Sequence, residues 1–256
     1  MKLLIDAGNM RIKWSLASGG DWLCNGAMPT LQAASLAQEI AEQLARQKPG
    51  TGLHQIRQIW ASNVAGKACA DHIRRIGAAI SVQPHFIEAR EIQCGVHNRY
   101  AESSQLGSDR WAALIAAWHL VQRACLVVDS GTATTVDALS DQGEFIGGLI
   151  LPGVELMQRS LMSAASQLKP ASGGYVPFPQ NSADAIYSGA IQASCGAIER
   201  QYNLLDDDRA PLLLSGGAAQ LLLPHLDWKR KVAPPQVEDD LVLQGLLLMA
   251  READCC

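Results

Sequence analysis

Residues 6–13 read DAGNMRIK, a pattern typical of a strand end, a glycine turn and a returning strand. The apolar run Leu3-Leu4-Ile5 before it predicts a buried strand, and Arg11 to Ala17 predicts a returning strand. A carboxylate that ends a buried strand is costly unless it is paired or bound to a metal, which makes Asp6 a candidate ligand group. The glycine of the turn lets the backbone approach a ligand, and turn amides can bind phosphate oxygens, with Lys13 near the same anion. Taken alone, the stretch is also compatible with an ordinary hairpin.

The same design returns at residues 129–135, which read DSGTATT. Cys125 to Asp129 predicts a strand, and Thr134 to Ala138 predicts the strand that returns from it. Because Asp129 follows Asp6 at close to half the length of the chain, we interpret the sequence as a divergent duplication. The prediction is an α/β fold of two tandem domains, residues 1–120 and 121–256, each a mixed sheet flanked by helices.

The presence of two such turns favours a protein that binds nucleotide phosphates and transfers a phosphoryl group. Two facing Asp-x-Gly turns suit Mg-nucleotide, because charge neutralisation and alignment do most of the catalytic work in phosphoryl transfer. Thr132 adds a hydroxyl to the second turn, although strands also prefer β-branched residues. A third turn, Ser215-Gly216-Gly217 after the predicted strand 212–214, could open space for adenine or be a plain tight turn. Neither G-x-x-x-x-G-K-[ST] nor G-x-G-x-x-G occurs, which disfavours P-loop kinases and Rossmann dehydrogenases.

A fourth candidate lies where a polar loop meets a predicted helix, in Gly107-Ser108-Asp109-Arg110-Trp111. Asp109 stands at the helix start and could simply be a cap, and Arg110 could be a surface charge. Alternatively, the helix N-terminus and Arg110 would bind an anionic substrate that bears a hydroxyl. Asp109 would then accept the hydroxyl proton during phosphoryl transfer. Residue spacing leaves both interpretations open.

The remaining periodicity indicates alternating helices and strands. We predict helices over 31–47, 71–79, 109–122, 183–204 and 240–251, strands over 56–61 and 81–87, and a polar loop over 91–106. A further helix is predicted to start at Ile150-Leu151-Pro152-Gly153 and to run through Met162. The apolar positions of 109–122 are nearly continuous, which is typical of a helix buried between other elements.

Composition excludes several classes of function. A net charge of -4 without a basic stripe argues against nucleic-acid binding. There is no run of 18 or more apolar residues, so we expect no membrane span, and Asp6 interrupts any export signal. Seven cysteines without a C-x-x-C pair are typical of a reducing, cytoplasmic setting. The six histidines show no metal-ligand spacing, and Asp206-Asp207-Asp208 is interpreted as a solvated turn.

Taken in order, the motifs resemble type III pantothenate kinase, a member of the superfamily of acetate and sugar kinases, Hsp70 and actin. The resemblance covers almost the whole chain and rests on a series of motifs. These motifs are DAGNMRIK at 6–13, ASNV at 61–64, Tyr100 followed by GSDRW at 107–111, DSGTATT at 129–135, GGLILPG at 147–153, NSADAI at 181–186, LSGG at 214–217 and LVLQGL at 241–246.

The resemblance implies a homodimer of chains with two ribonuclease-H-like (actin-like ATPase) domains, which phosphorylates pantothenate with MgATP in coenzyme A synthesis. Relatives described as Bvg accessory factors belong to the same group. The implied proton acceptor is Asp109. The implied ATP-phosphate contacts are Asp6, Ala7, Gly8, Asn9, Met10, Arg11, Ile12, Lys13 and Thr132. The implied pantothenate contacts are Tyr100, Gly107, Ser108, Asp109, Arg110 and Ser182.

Two cations are implied as well. Asp6 would lie close to Mg²⁺, and Asp129 would bind a monovalent cation, K⁺ or NH₄⁺. Three positions depart from the family pattern: Met10 and Ser182 each replace a threonine, and Ser103 replaces a proline. None of these changes removes a carboxylate, so we expect activity. Two alternatives remain open, a regulatory role without catalysis and a different reaction on the same fold, such as that of a sugar kinase or a phosphatase.

Overall fold

The computed structural model describes residues 1–19, 21–164, 173–228 and 232–255. Its strands are β1 (Lys2–Ala7), β2 (Arg11–Ser18), β3 (Asp21–Pro29), β4 (Gln58–Asn63), β5 (Pro84–Phe86), β6 (Ile92–Gln93), β7 (Val96–Asn98), β8 (Cys125–Ser130), β9 (Ala133–Leu139), β10 (Glu144–Pro152), β11 (Leu212–Ser215) and β12 (Gln236–Val237). Its helices are α1 (Leu36–Gln47), α2 (Lys67–Ala79), α3 (Ser108–Val121), α4 (Val154–Ala164), α5 (Ser182–Leu204), α6 (Ala219–Leu222) and α7 (Leu241–Asp254). Within the described part of the chain, no helix has both the length and the apolar character needed to cross a bilayer.

The elements form two compact units. The first unit contains Met1–Ala116 together with the chain from Leu241 onward, and the second contains Ala117–Asp240. The C-terminal helix α7 belongs to the first unit because it packs on β1 and β4. The domains predicted from the sequence, 1–120 and 121–256, stay a prediction, and the compact units differ from them chiefly in the placement of α7.

Five strands of each unit are arranged in the same order and with the same directions. The first unit has the order β3-β2-β1-β4-β5, in which β1–β2 and β2–β3 are antiparallel and β1–β4 and β4–β5 are parallel. In the second unit, β10-β9-β8-β11-β12 repeats this pattern strand for strand. The predicted fold of two mixed sheets with helices is therefore confirmed, and the repeated topology supports the duplication.

Apolar helix faces close the core of each unit. Leu36, Ile40 and Leu44 repeat every four residues along α1 and are fully buried in the first core. Ile191 and Ile198 of α5 are fully buried in the second core. The predicted burial of α3 is confirmed, because every side chain from Trp111 to Ala117 is buried.

Several predicted element boundaries are wrong. Ile150 to Pro152 end strand β10 rather than starting a helix, and α4 begins at Val154. Gly147, with φ +137°, lies at a register shift in β10, and glycines of this kind weaken a strand pattern in the sequence. Residues 31–35 belong to a 3₁₀ turn, since Gln32 has φ −100° and ψ 15°, so α1 begins at Leu36. The predicted loop 91–106 contains the hairpin β6–β7, and β3 was not predicted.

Candidate active site

The first Asp-x-Gly turn lies at the carboxyl end of β1. Asp6 is the penultimate residue of β1 and is half-buried. In register it lies opposite Lys13 of the antiparallel strand β2 and beside Ser62 of the parallel strand β4. The three side chains therefore lie on one face of the sheet, at the carboxyl end of β1.

The turn itself is exposed but held by hydrogen bonds. The Gly8 amide donates to the Arg11 carbonyl (3.0 Å), which closes the turn. Thr30, directly after β3, donates its amide to the Met10 carbonyl (3.0 Å) and its hydroxyl to the Gly8 carbonyl (2.7 Å). Asn9, Met10 and Arg11 are exposed, so this part of the turn is accessible to a ligand.

The predicted substrate motif forms the N-terminus of α3. The Trp111 amide donates to the Gly107 carbonyl (2.9 Å), the first helical hydrogen bond, and Asp109 lies in the first turn. The Arg110 amide donates to Asp109 Oδ1 (2.8 Å). A carboxylate is favourable at this helix end because it faces the positive pole of the helix dipole. The Asp109 carboxylate is half-buried, so it retains access to a ligand.

Arg110 and Tyr100 contact each other beside this helix end. Arg110 is 6% exposed, and its Nη1 donates to Tyr100 Oη (3.3 Å). A buried guanidinium is retained only where it is paired, so Arg110 is not a surface charge. Asn98 holds the loop that presents Tyr100: its side chain accepts from the Tyr100 amide (3.0 Å) and donates to the Ser103 carbonyl (3.1 Å).

A hydrogen bond between two serines connects the turn strand to the helix. Ser62, which is 0% exposed, has its Oγ 2.8 Å from Ser108 Oγ. Because Ser62 lies beside Asp6 in the sheet and Ser108 precedes Asp109, the contact brings the α3 N-terminus to the sheet end that carries Asp6. The first unit thus gathers most of the predicted site residues.

The second Asp-x-Gly turn has the same surroundings. Asp129 is the penultimate residue of β8, opposite Thr135 of β9 and beside Ser215 of β11. The Gly131 amide donates to the Ala133 carbonyl (2.9 Å), and Thr132 is exposed.

The third glycine turn packs directly against Asp129. Gly216 has φ +90°, a conformation that L side chains rarely adopt. A Cβ built on Gly216 would collide with Asp129 Oδ1 and the Ser130 carbonyl. The turn therefore lets the backbone approach the carboxylate, while both the adenine interpretation and the plain-turn interpretation of Ser215-Gly216-Gly217 stay open.

The remaining predicted residue, Ser182, lies at the start of α5. It is the exposed first residue of α5, which Asn181 caps by accepting from the Asp184 amide (2.9 Å). The Gly174 amide, and then the Asn181 side chain, hold the pKa of the Asp184 carboxyl below its ordinary value. These contacts order the helix end on which Ser182 stands.

Sequence reasoning did not single out three further polar residues, Thr30, Ser62 and Asp137. Thr30 and Ser62 act through contacts between segments distant in sequence, for which the sequence gives no signal. Asp137 is 2% exposed on β9 and lies on the same face as Thr135. Its signal was available, because a carboxylate in the apolar strand TTVDAL requires a binding partner.

Metal-cluster and thiol chemistry gain no support among the described residues. In that part of the chain, no three His, Cys, Asp or Glu side chains are grouped so that they could hold a metal ion. Burial raises the pKa of the Cys125 thiol to about 12, so this thiol stays protonated and unreactive at neutral pH. Cys24, Cys69, Cys94, Cys195 and Cys255 are also free thiols, and Cys256 lies outside the described residues.

The chain is similar to known pantothenate kinases along its length. The family model of type III pantothenate kinase matches residues 2–204. A type III pantothenate kinase of Nitrosospira multiformis is 46% identical, in a match that covers 98% of this chain and 91% of the relative.

Solved structures show the same fold at low identity. A Campylobacter jejuni protein assigned to the Baf family of transcriptional activators has a TM-score of 0.61 at 20% identity, covering 99% of this chain and 100% of that one. A Sinorhizobium meliloti protein assigned as a 2-dehydro-3-deoxygalactonokinase has a TM-score of 0.58 at 13% identity, covering 98% and 96%. The fold is that of actin-like ATPases and sugar kinases, as the sequence predicted.

Proposed function

The chain belongs to the type III pantothenate kinase family, whose members are ATP-dependent kinases, and we propose that it phosphorylates pantothenate. The γ-phosphate of ATP passes to the pantothenate hydroxyl, giving 4'-phosphopantothenate for coenzyme A synthesis. The observation that carries the proposal is the contact between Ser62 and Ser108, because it sets Asp109 and Arg110 at the same sheet end as Asp6.

Asp109 is the proposed proton acceptor. The pantothenate hydroxyl oxygen attacks the γ-phosphorus, its proton passes to the Asp109 carboxylate, and the bond to the β-phosphate oxygen breaks to release ADP. The hydrogen bond from the Arg110 amide to Oδ1 fixes the orientation of this carboxylate. A fixed carboxylate near the hydroxyl saves the entropy of aligning the two groups.

The groups around Asp109 are proposed to hold pantothenate. The guanidinium of Arg110 suits the substrate carboxylate, since its planar fork matches two carboxylate oxygens. Tyr100, Gly107 and Ser108 border the same helix end and would complete the contacts. Ser182 is proposed to contact the substrate from the start of α5, with its hydroxyl in the role of the family's threonine.

The two Asp-x-Gly turns are proposed to bind the ATP phosphates. In the first, the backbone of Ala7, Gly8, Asn9, Met10, Arg11 and Ile12 and the side chain of Lys13 are the proposed contacts. In the second, Thr132 is the proposed contact, and its exposure supports the assignment. Exposed turn amides are suited to this task because they present several donors to one anion.

Mg²⁺ fits the residues at the first turn. Mg²⁺ binds through one or two carboxylates, with substrate phosphates and waters completing its shell, rather than in a protein cage. One half-buried carboxylate, Asp6, beside an exposed turn matches that requirement. When bound, the ion neutralises charge on the transferred phosphate.

A monovalent cation, K⁺ or NH₄⁺, is proposed at Asp129. The observation that supports it is the close approach at Gly216, which brings the Asp129 carboxylate and the Ser130 carbonyl oxygen near each other. Oxygen donors of this kind suit a hard cation.

We also propose a homodimer. Large apolar side chains are exposed on β10 and α4 of the second unit, and their clustering in consecutive elements supports an interface. They are Ile146, Leu149, Ile150, Leu156 and Leu161. A cytoplasmic location is proposed as well, supported by the free thiols of the described cysteines.

The reaction is tested by measuring ADP release from MgATP with pantothenate, with an analogue lacking the phosphorylated hydroxyl, and with a panel of sugars. Each assay is run with K⁺, NH₄⁺ or Na⁺. Among these compounds we expect only pantothenate to support ADP release from MgATP, and we expect K⁺ or NH₄⁺ to stimulate the reaction. Turnover with a sugar, or ADP release indifferent to pantothenate, would contradict the substrate. The absence of turnover from folded protein would favour a regulatory role.

A further inference from the structure

We propose that Thr30 is a positioning residue that holds the Gly8–Arg11 turn in its phosphate-binding form. The inference rests on the proposed function, because it assigns the phosphates of ATP to this turn. Thr30 lies outside the motifs quoted for the family and directly follows Pro29, the last residue of β3.

Thr30 engages two of the turn's carbonyl groups. Its hydroxyl donates to the Gly8 carbonyl (2.7 Å), and its amide donates to the Met10 carbonyl (3.0 Å). The Gly8 amide donates to the Arg11 carbonyl (3.0 Å), so three of the four turn carbonyls accept hydrogen bonds from the protein. A carbonyl oxygen that pointed at a phosphate would repel it, whereas amides attract it. Holding these carbonyls therefore favours the arrangement that binds an anion.

The second unit provides an internal comparison. Gly153 directly follows Pro152, the last residue of β10, as Thr30 follows Pro29. Its amide donates to the Thr132 carbonyl (2.9 Å), the same bond that Thr30 makes to Met10. A Cβ on Gly153 would collide with the Gly131 and Thr132 carbonyls, so no side chain fits there. Both turns thus share the backbone anchor, and only the first adds a hydroxyl.

The extra hydroxyl occurs where the turn has more freedom. Three residues, Gly8 to Met10, separate β1 from β2, whereas Gly131 and Thr132 alone separate β8 from β9. Met10 is 49% exposed and carries no hydroxyl that could bind within the turn. The longer, exposed turn gains a fixed conformation from Thr30, which reduces the entropy lost when phosphate binds.

The test compares Thr30→Val, which keeps the shape and loses the hydroxyl, with Thr30→Ser, which keeps the hydroxyl. Ser15→Ala is the control, since Ser15 makes a hydroxyl-to-carbonyl bond to Cys24 (3.1 Å) on the same β2–β3 hairpin. We measure the Kd of a non-hydrolysable Mg-ATP analogue by calorimetry, the KM of each substrate, and Tm. We expect Thr30→Val to raise the nucleotide Kd and the KM for ATP by about three- to tenfold, as for one lost hydrogen bond.

In Thr30→Val the KM for pantothenate should stay unchanged. Thr30→Ser should bind the nucleotide as tightly as the wild type does. The control Ser15→Ala should lower Tm without changing the nucleotide Kd. An unchanged nucleotide Kd in Thr30→Val, measured well below its Tm, would overturn the inference. Equal rises in both KM values would also overturn it, since they indicate general loss of structure. If the wild type binds Mg-nucleotide but does not phosphorylate pantothenate, the proposed substrate fails and the nucleotide Kd values still decide the role of Thr30. A wild type that binds no Mg-nucleotide would overturn both proposals.

Discussion

Ser62 Oγ lies 2.8 Å from Ser108 Oγ, and this hydrogen bond joins β4 to the N-terminus of α3. Ser62 is fully buried beside Asp6, and Ser108 immediately precedes Asp109. A hydrogen bond between two hydroxyl groups therefore joins the strand beside the proposed phosphate-binding turn to the helix that carries the proposed proton acceptor.

Removing this bond should slow phosphoryl transfer more than it weakens substrate binding. We expect Ser62→Ala to lower kcat by on the order of tenfold, because small misplacements of catalytic groups are costly. The KM for ATP should stay nearly constant. Steady-state kinetics on Ser62→Ala, Ser108→Ala and the double variant measure the coupling between the two hydroxyls. If they act through one hydrogen bond, kcat of the double variant should be no lower than kcat of Ser62→Ala. Independent, multiplicative effects of the two substitutions would show that the hydroxyls act separately.

Substituting Gly153 should destabilise the second turn. In Gly153→Ala the new Cβ would meet backbone carbonyls of Gly131 and Thr132, which cannot move aside as a side chain can. We expect a loss of about 1–3 kcal/mol, seen as a lower Tm in thermal unfolding. Gly196→Ala is the matched control, because apart from the local backbone of α5 no atom of the described residues lies within 4 Å of its Cβ position, and alanine favours a helix. If Gly153→Ala were as stable as Gly196→Ala, residue 153 could not lie as close to the Gly131 and Thr132 carbonyls as the structure has it.

The start of α5 should become less stable at acid pH. The Gly174 amide, and then Asn181, lower the pKa of Asp184 below its ordinary value of 3.8, so the ionised carboxylate stabilises the folded state. This stabilisation is complete above the ordinary value and is lost as the pH falls through the lowered value. The Tm difference between wild type and Asp184→Asn should be constant from about pH 8 to 5 and shrink below about pH 4. A Tm difference that stayed the same down to about pH 3 would contradict this role of the carboxylate.

A charge on the exposed apolar face should prevent dimerisation. Ile150 is 66% exposed on β10, and an aspartate there would be buried unpaired in the proposed interface. Sedimentation velocity should find a dimer for the wild type and a monomer for Ile150→Asp. Leu204→Asp, at an exposed apolar position at the end of α5, should remain dimeric. A monomeric wild type, or a dimeric Ile150→Asp, would place the interface elsewhere or remove it.

The repeated Asp-x-Gly turns made the architecture predictable from the sequence. A buried strand that ends in aspartate and glycine is a local pattern, and its recurrence at Asp129 implied two related sheets. This pattern can be recognised without knowing any contact between distant segments, which is why the fold could be predicted from the sequence.

The features that escaped prediction depend on tertiary contacts or on irregular backbone. Thr30 and Ser62 act across pairs of segments whose proximity only the sheet register creates. Strand β10 was partly hidden in the sequence because Gly147 interrupts the alternation of apolar and polar residues that identifies a strand. In the structure this glycine adopts φ +137° at a register shift in the strand. The roles of Asp6, Asp109 and Asp129 stay predictions, because they depend on how each carboxylate interacts with ATP, pantothenate or a cation.

Single-turnover phosphoryl transfer in Asp109→Asn is the most direct test of the proposed mechanism. Enzyme in excess is mixed with labelled MgATP and pantothenate and quenched, and Mg-nucleotide affinity is measured in parallel. If Asp109 accepts the hydroxyl proton, transfer should fall by about 10²- to 10⁴-fold while nucleotide affinity is retained. A transfer rate close to that of the wild type, in a folded Asp109→Asn protein that binds nucleotide normally, would contradict the role of Asp109 as proton acceptor.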